Sequence, residues 1–141
     1  TGDGELDEGS NWEGLMTIRH YNLTNCITIV DRNHCMIDGN TEDVMKLEPL
    51  ADKFVAFGFH IIVCECNNIV SLCKAIDEAH KTKDKPTVIV ADTIKGVGIK
   101  LTSGNYKWHY GAIDEEMAKV AAKDLDEYSA ERIARCGKEF E

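Results

Sequence analysis

The feature that most constrains the fold is a pair of short motifs, Gly2-Asp3-Gly4 near the start of the chain and Asp31-Arg32-Asn33 further along. Between them, apolar residues at helical spacing from Trp12 to Leu23 predict an amphipathic helix, and the apolar run after Cys26 predicts a buried strand. A strand ending at the first motif, then a helix, then a second strand form a right-handed crossover with parallel strands. The sequence therefore predicts an α/β domain with a parallel sheet and helices on both faces.

The lengths of these two elements bring the motifs together. A helix of about 14 residues covers roughly 21 Å, and a strand of five or six residues covers roughly 17–20 Å in the opposite direction. The chain therefore returns Asn33 to the edge of the sheet at which it left Asp3. This edge, at the carboxyl ends of the strands, is where open α/β sheets bind ligands.

The residue types at this edge suit a metal-bridged diphosphate. Asp3 offers a carboxylate and Asn33 a side-chain carbonyl, and both are hard oxygen ligands suited to magnesium or calcium. Gly2 and Gly4 would let the backbone approach a phosphate without a Cβ clash. The alternative is structural, with Gly-Asp-Gly as a tight turn and Asp-x-Asn as a strand end. The matched spacing and topology favour the metal site.

The rest of the chain continues to alternate between helix and strand, which is typical of this fold class. Ser10 and Glu13 predict a capping box at the start of the first helix. Residues 1–112 are expected to form the main domain and residues 113–141 a helical C-terminal segment of the same domain. The further elements that the pattern predicts are a loop at residues 34–40, a short helix at 41–46, a helix from Pro49 to Gly58, a strand at 59–64, a helix capped by Asn68 up to residue 81, a strand at 87–91, a glycine-rich loop and a helix capped by Asp114.

Charge and hydropathy exclude some classes of partner. The 141-residue chain has 16 basic and 25 acidic residues and a formal net charge of −9, which argues against nucleic acid and anionic membranes. No apolar run approaches the roughly 20 residues that span a bilayer. An acidic chain holds a diphosphate only through a divalent cation, backbone N–H groups or a helix N-terminus.

The cysteines and the first residue give two further expectations. Six cysteines occur without a Cys-x-x-Cys spacing, and several lie in apolar stretches. Reduced, structural thiols in a cytoplasmic protein are favoured over a metal cluster or a disulfide framework. The chain begins at Thr1 with no initiator methionine. We therefore expect a piece of a longer protein whose first sheet strands are missing.

Several motifs together resemble the transketolase family, one of the thiamine diphosphate enzyme families. The resemblance covers residues 1 to about 118, and its motifs occur in the order found in the family. The matching runs are Gly2-Asp3-Gly4-Glu5-Leu6-Asp7-Glu8-Gly9 with Trp12-Glu13, His20-Tyr21-Asn22-Leu23, Ile29-Val30-Asp31-Arg32-Asn33 with Ile37-Asp38-Gly39, Glu48-Pro49-Leu50-Ala51-Asp52-Lys53-Phe54 with Ala56-Phe57-Gly58, Lys85-Pro86-Thr87, Thr93-Ile94-Lys95-Gly96-Val97-Gly98, and Trp108-His109.

The resemblance implies roles for the residues of the two motifs. Asp3 and Asn33 match the side chains that bind the metal, and Cys35 matches a position that offers its backbone carbonyl. Gly4 matches a glycine packed on the diphosphate, and Gly2 lies beside it. Thiamine diphosphate and magnesium (or calcium) are therefore the expected cofactors.

Other matched residues lie outside the metal site. Glu8 matches a glutamate at the dimer interface, in an acidic link between two active sites, and Glu13 either joins it or serves only the capping box. His109 matches a histidine that faces cofactor and substrate, so Glu8 and His109 are the expected catalytic residues. Lys95-Gly96 matches a loop near the cofactor. The other two matched histidines, His20 and His60, are expected to be structural.

The resemblance also implies an activity and a partner. Transketolases transfer a two-carbon ketol unit between sugar phosphates, and a pyrimidine-binding domain completes their site across a dimer. No segment here corresponds to that domain, so we expect a homodimer or split heteromer and an inactive isolated chain with an unpaired sheet edge. The alternatives are another thiamine diphosphate enzyme, such as 1-deoxyxylulose-5-phosphate synthase or a 2-oxo acid dehydrogenase component, and a non-enzymatic binding module. Residues 5–13 and Trp108-His109 favour transketolase.

Overall fold

A computed structural model describes residues 1–136 of the chain. It contains five helices and five strands within that range, with 3₁₀ turns at Gly4–Asp7 and Tyr106–His109. The helices are α1 (Gly9–His20), α2 (Thr41–Val44), α3 (Leu50–Ala56), α4 (Ile69–Lys81) and α5 (Glu115–Cys136). The strands are β1 (Ile27–Arg32), β2 (Cys35–Met36), β3 (Gly39–Asn40), β4 (His60–Glu65) and β5 (Thr87–Asp92).

The central sheet is parallel, as the sequence predicts. Its order is β1-β5-β4, so that β5 is the middle strand and is paired on both sides. The middle strand is almost fully buried along its length, which matches the unbroken apolar run of a strand covered on both faces. The segment before the first 3₁₀ turn extends the sheet beyond β1 through a parallel bridge between Gly2 and Asp31.

Helices cover both faces of the sheet, which confirms the predicted architecture. On one face, α1 and α3 pack on β1 and β5, and the Trp12 ring stacks on Phe54 with centroids 5.6 Å apart. On the other face, α4 buries Ala75 and Ala79 against the sheet. The side chain of Asn68 accepts a hydrogen bond from the N–H of Val70 at 3.0 Å, so the predicted cap of α4 is confirmed.

The start of α1 differs from the prediction. The helix begins at Gly9, its N-cap is Glu8, and that residue makes no side-chain capping bond, so a capping box starting at Ser10 is wrong. The reason is the preceding 3₁₀ turn, which leads directly into α1: the N–H of Glu8 bonds to the carbonyl of Glu5 at 3.0 Å. Ser10 is therefore already inside the helix.

Two other segments refine the expected elements. Residues 34–40, predicted as a loop, form the antiparallel β2–β3 hairpin. Asp114 caps α5 as predicted, because its carboxylate accepts a bond from the N–H of Met117 at 2.8 Å. The domain boundary after residue 112 stays a prediction. Residues 137–141 of the predicted C-terminal segment lie outside the described range. Within residues 1–136, no helix combines the length and apolar character that crossing a bilayer requires.

Candidate functional site

The first motif lies where the crossover argument puts it. The N–H of Asp3 donates to the carbonyl of Asp31 at 3.0 Å, and the N–H of Asp31 donates to the carbonyl of Thr1 at 2.9 Å. These two bonds hold residues 1–3 beside the end of β1, as a parallel partner. Asp3 therefore lies at the carboxyl edge of the sheet. It is hydrogen-bonded to Asp31, two residues before Asn33.

The carboxylate of Asp3 is fully buried and has several hydrogen-bond donors around it. One oxygen, Oδ1, accepts from the N–H of Gly4 at 2.8 Å. The other, Oδ2, accepts from the N–H of His34 at 2.7 Å and from the guanidinium of Arg32 at 2.9 Å. Because a carboxylate offers about four lone-pair sites, Oδ1 keeps capacity for one further contact. These hydrogen bonds hold the side chain in a fixed orientation.

Arg32 is the functional neighbour that the sequence reasoning missed. Its guanidinium is 3% exposed and also donates to Thr41 at 2.6 Å, Glu42 at 2.7 Å and Glu48 at 3.0 Å. Burial alone would lower the pKa of this guanidinium, but hydrogen bonds to the three carboxylates outweigh it and raise the pKa. A signal was present: Arg32 is two residues after the buried Val30, so strand alternation puts both side chains on the same face.

Asn33 is held in an equally defined orientation. Its Nδ2 donates to the carboxylate of Asp31 at 3.0 Å, and its Oδ1 accepts from the N–H of Cys35 at 3.0 Å. The amide oxygen has a second lone pair that this bond does not use. The second motif therefore presents a neutral oxygen donor beside the anionic oxygen of the first.

The backbone carbonyl of Cys35 is a third candidate oxygen. In the β2–β3 hairpin the carbonyl of His34 accepts from the N–H of Thr41 at 3.0 Å. Because bonded and non-bonded pairs alternate in antiparallel ladders, the next pair, Cys35 with Asn40, leaves its carbonyls outside the ladder. Burial and the charge of Asp3 raise the pKa of the Cys35 thiol, which keeps it protonated. A protonated thiol is a poor metal ligand, so the carbonyl is the candidate donor at this position.

One cavity of about 400 Å³ brings the predicted site residues together. All seven residues predicted from the sequence line it, namely Gly2, Asp3, Gly4, Glu8, Asn33, Cys35 and His109. The lining also includes Glu5, Met36, Ile37 and Asp38. Two oxygen-donor side chains from separate motifs therefore share a space with an imidazole that is more than 70 residues further along the chain.

The donor set suits a hard cation rather than a soft one. Among residues 1–136, no three His, Cys, Asp or Glu side chains meet in a group that could hold a metal. A cation in this cavity would instead bind one carboxylate, one amide oxygen and one backbone carbonyl. Oxygen-only ligands of this kind are those that magnesium and calcium take.

The remaining candidates lie outside the cavity lining. Glu13 is exposed on α1, and its described contact is through the backbone, where its carbonyl accepts a hydrogen bond from the hydroxyl of Thr17. His20 packs edge-on against Tyr21, and the ring of His60 contacts Thr87. Lys95 is close enough to Cys35 for its charge to oppose the rise in the pKa of that thiol, and Gly96 has a positive φ of 64°.

Comparison with known proteins then identifies the family. Residues 1–130 match the family model described as transketolase, thiamine diphosphate binding domain. The chain belongs to the transketolase family. Its resemblance to that family is thereby confirmed, and the domain it carries is the family's N-terminal, thiamine diphosphate-binding one.

The relatives include proteins whose names mark them as subunits of split enzymes. The chain is 38% identical over 125 residues to an apulose-4-phosphate transketolase subunit of Actinobacillus succinogenes, covering 89% of the chain and 45% of the relative. It is 37% identical over 129 residues to the 6-deoxy-6-sulfo-D-fructose transketolase subunit SqwG of a Clostridium species, covering 92% of the chain and 47% of the relative. The chain thus spans less than half the length of either relative.

A solved transketolase has the same fold over the matched region. The crystal structure of the enzyme from Campylobacter jejuni superposes with a TM-score of 0.80 at 30% sequence identity. The match covers 89% of this chain and 20% of the transketolase chain. The parallel sheet with helices on both faces is therefore the family architecture, represented here in part.

Proposed function

We propose that this chain supplies the metal and diphosphate half-site of a transketolase that transfers a two-carbon ketol unit between sugar phosphates. The observation that carries the proposal is the shared cavity, in which Asp3, Asn33 and His109 meet. The family match supports thiamine diphosphate as the cofactor. The expected cytoplasmic location stays a prediction.

The residues around the cavity divide the binding task between them. Asp3, Asn33 and the carbonyl of Cys35 would hold magnesium or calcium, and the cation would neutralise the diphosphate in an acidic chain. Gly2 and Gly4 would leave room for the phosphate oxygens against the backbone. When bound, thiamine diphosphate supplies the electron sink for breaking and forming carbon–carbon bonds.

Glu8 and His109 are the candidates for proton handling. His109 is the single imidazole among the described residues of the cavity lining, and it is exposed to the space that a substrate would enter. An imidazole nitrogen can donate or accept a proton at a substrate oxygen near neutral pH. Glu8 is exposed at the cavity, free of a side-chain capping role, and is proposed to join an acidic link across a dimer interface.

The proposal includes a partner because the ionisable side chains that line the cavity are mostly acidic. Its described lining holds four carboxylates, those of Asp3, Glu5, Glu8 and Asp38, and no lysine or arginine. A sugar phosphate therefore needs cationic residues from elsewhere. The relatives that are named as transketolase subunits support a split heteromer, in which a second polypeptide brings the pyrimidine-binding domain. The alternative is a homodimer whose chains each contain both domains.

The experiment that tests this function uses the assembled enzyme, meaning the native-length chain together with the partner domain or polypeptide. Ketol transfer from a ketose phosphate to an aldose phosphate is followed with thiamine diphosphate and magnesium present. Chelation of the metal should stop the transfer, and added magnesium should restore it. Transfer that is insensitive to chelator and cofactor would contradict the proposal.

Replacing His109 by alanine should lower turnover by about 10²–10⁴-fold, the usual contribution of a positioned acid–base group. The affinity for thiamine diphosphate should change little, because the metal ligands and the diphosphate contacts remain. Steady-state kinetics and a cofactor titration measure the two effects separately. His80→Ala, at an exposed histidine near the end of α4, is the matched control. An unchanged rate in His109→Ala would return this residue to a structural role.

Gly4→Ala should weaken cofactor binding through the backbone. A Cβ at this position would lie 2.8 Å from the Cβ of Met36, so the 3₁₀ turn and the β2–β3 hairpin have to separate. Overpacking of this kind costs about 1–3 kcal/mol. If that cost falls on the conformation that binds the cofactor, the affinity should drop by roughly 5- to 150-fold. Gly14→Ala on α1, where nothing lies within 4 Å of the new Cβ, is the control. Equal melting temperatures and equal affinities in both variants would contradict the predicted clash.

A further inference from the structure

Two thiols at the end of β4 lie in unusually close contact. The Sγ atoms of Cys64 and Cys66 are 2.7 Å apart, and both side chains are half-buried. Non-bonded heavy atoms are best separated by about 3.5–4.0 Å, whereas a disulfide joins its sulfurs at about 2.0 Å. The two sulfurs are therefore closer than non-bonded atoms usually are, with Cys64 in β4 and Cys66 directly after its last residue.

The backbone permits the bond. Residues two apart in a strand have Cα atoms separated by about 6.6 Å, from a rise of about 3.3 Å per residue. Disulfides occur at Cα separations of about 4.4–6.8 Å, so this spacing is at the upper end of the usable range. Closing the ring would draw Cys66 slightly towards Cys64.

The surroundings of Cys66 favour its protonated form. Burial raises the pKa of the Cys66 thiol to about 12, and the hydrogen bond with Cys64 and the negative charges of Asp31 and Asp92 act in the same direction. Cys66 therefore keeps its proton at neutral pH. A thiol of this pair becomes a nucleophile once it is deprotonated, because the thiolate is the reactive form of cysteine.

We propose that Cys64 and Cys66 form an oxidisable dithiol that closes to an intramolecular disulfide in the presence of a peroxide. The thiolate of one of the two cysteines attacks one peroxide oxygen, which breaks the O–O bond and gives a sulfenic acid and one water after protonation. The sulfur of the other cysteine loses its proton and attacks the sulfenic sulfur, and the departing hydroxide takes up that proton to leave as a second water. Two thiols are oxidised, and one hydrogen peroxide is reduced to two waters.

A short chain of contacts joins this dithiol to the candidate cofactor site. The N–H of Cys66 donates to the carbonyl of Asp92 at 2.8 Å, and the carboxylate of Asp92 is 2.8 Å from the His34 ring. The N–H of His34 in turn donates to the carboxylate of Asp3 at 2.7 Å. Movement of Cys66 on ring closure would disturb this chain, so the oxidised form should bind thiamine diphosphate less tightly. This consequence rests on the proposed function.

The test treats the assembled enzyme with hydrogen peroxide, blocks remaining thiols with an alkylating reagent and maps the peptides by mass spectrometry. The wild type should lose two hydrogens at the Cys64–Cys66 peptide, escape alkylation there and recover both thiols with dithiothreitol. Cys64→Ser and Cys66→Ser should not form this product. Cys73→Ser, at an exposed cysteine of α4, is the matched control and should behave as the wild type.

Two outcomes would overturn the proposal in different ways. Independent alkylation of both thiols after peroxide treatment would exclude the disulfide, whatever the cofactor measurements show. A disulfide that forms while the affinity for thiamine diphosphate stays the same would exclude the link to the site. The expected fall in affinity is about fivefold or more, the lower end of typical coupling between sites, and it should be absent in Cys64→Ser. A reduced enzyme that never binds thiamine diphosphate contradicts the proposed function but leaves the mass result standing.

Discussion

Asp3→Asn should abolish the metal-dependent binding of thiamine diphosphate by the assembled enzyme. The substitution keeps the size of the side chain but removes the charge of Asp3, the buried carboxylate among the described residues of the cavity lining. Even outer-shell partners of a metal cost about 10–100-fold in affinity, so loss of the ligand itself should cost on the order of 100-fold or more. Calorimetric titration with thiamine diphosphate at a fixed magnesium concentration measures the loss of affinity.

Two further variants make this result interpretable. Asp7→Asn, at an exposed aspartate in the same 3₁₀ turn, removes an equal charge outside the cavity lining and should bind normally. Asn33→Ala removes the second oxygen donor without leaving a buried charge unpaired, so it separates loss of the ligand from loss of the fold. Cofactor affinity within twofold of the wild type in both Asp3→Asn and Asn33→Ala would refute the metal site.

Arg32→Met should lower the free energy of unfolding by about 3–5 kcal/mol. The reason is that Asp3 would remain buried with no cation beside it, and breaking one partner of a buried pair leaves an uncompensated charge. Glu42 and Glu48 would lose the same guanidinium and could turn towards solvent, because both are partly exposed. Chemical denaturation followed by circular dichroism measures the change.

The double variant Asp3→Leu with Arg32→Met provides the decisive comparison. Replacing both members of a buried ion pair by apolar residues is often neutral, so it should recover much of the stability that Arg32→Met loses. Lys119→Met, at a well-exposed surface pair with Glu116, is the control and should change stability little. If Arg32→Met is as stable as the wild type, the guanidinium does not hold Asp3 in place.

The sequence predicted the fold and the meeting of the two motifs because both follow from periodicity and element length. A helix and a strand of nearly equal reach return the chain to its starting edge, and the backbone bonds between Asp3 and Asp31 show that they do. His109 became a candidate only through the resemblance to a family. Its place in the cavity depends on the path of the chain after β5, which has no regular period.

The sequence did not predict the buried contacts of Arg32, which hold Asp3 in position. The burial of Arg32 depends on Thr41, Glu42 and Glu48, which the chain brings back under β1 after the hairpin. Strand alternation indicated its direction, but not the carboxylates that it would find there. The first turn was misread for a similar reason: Asp3 accepts a bond from the N–H of Gly4 and starts a 3₁₀ turn that displaces the expected capping box.

The most direct test of the central claim is a titration of the assembled wild-type enzyme with thiamine diphosphate, with magnesium present and after its removal by chelation. The proposed half-site predicts tight binding with magnesium and binding weaker by at least about 100-fold without it, because Asp3 and Asn33 would hold the cation that neutralises the diphosphate. Equal affinity under both conditions, or no binding under either, would contradict it.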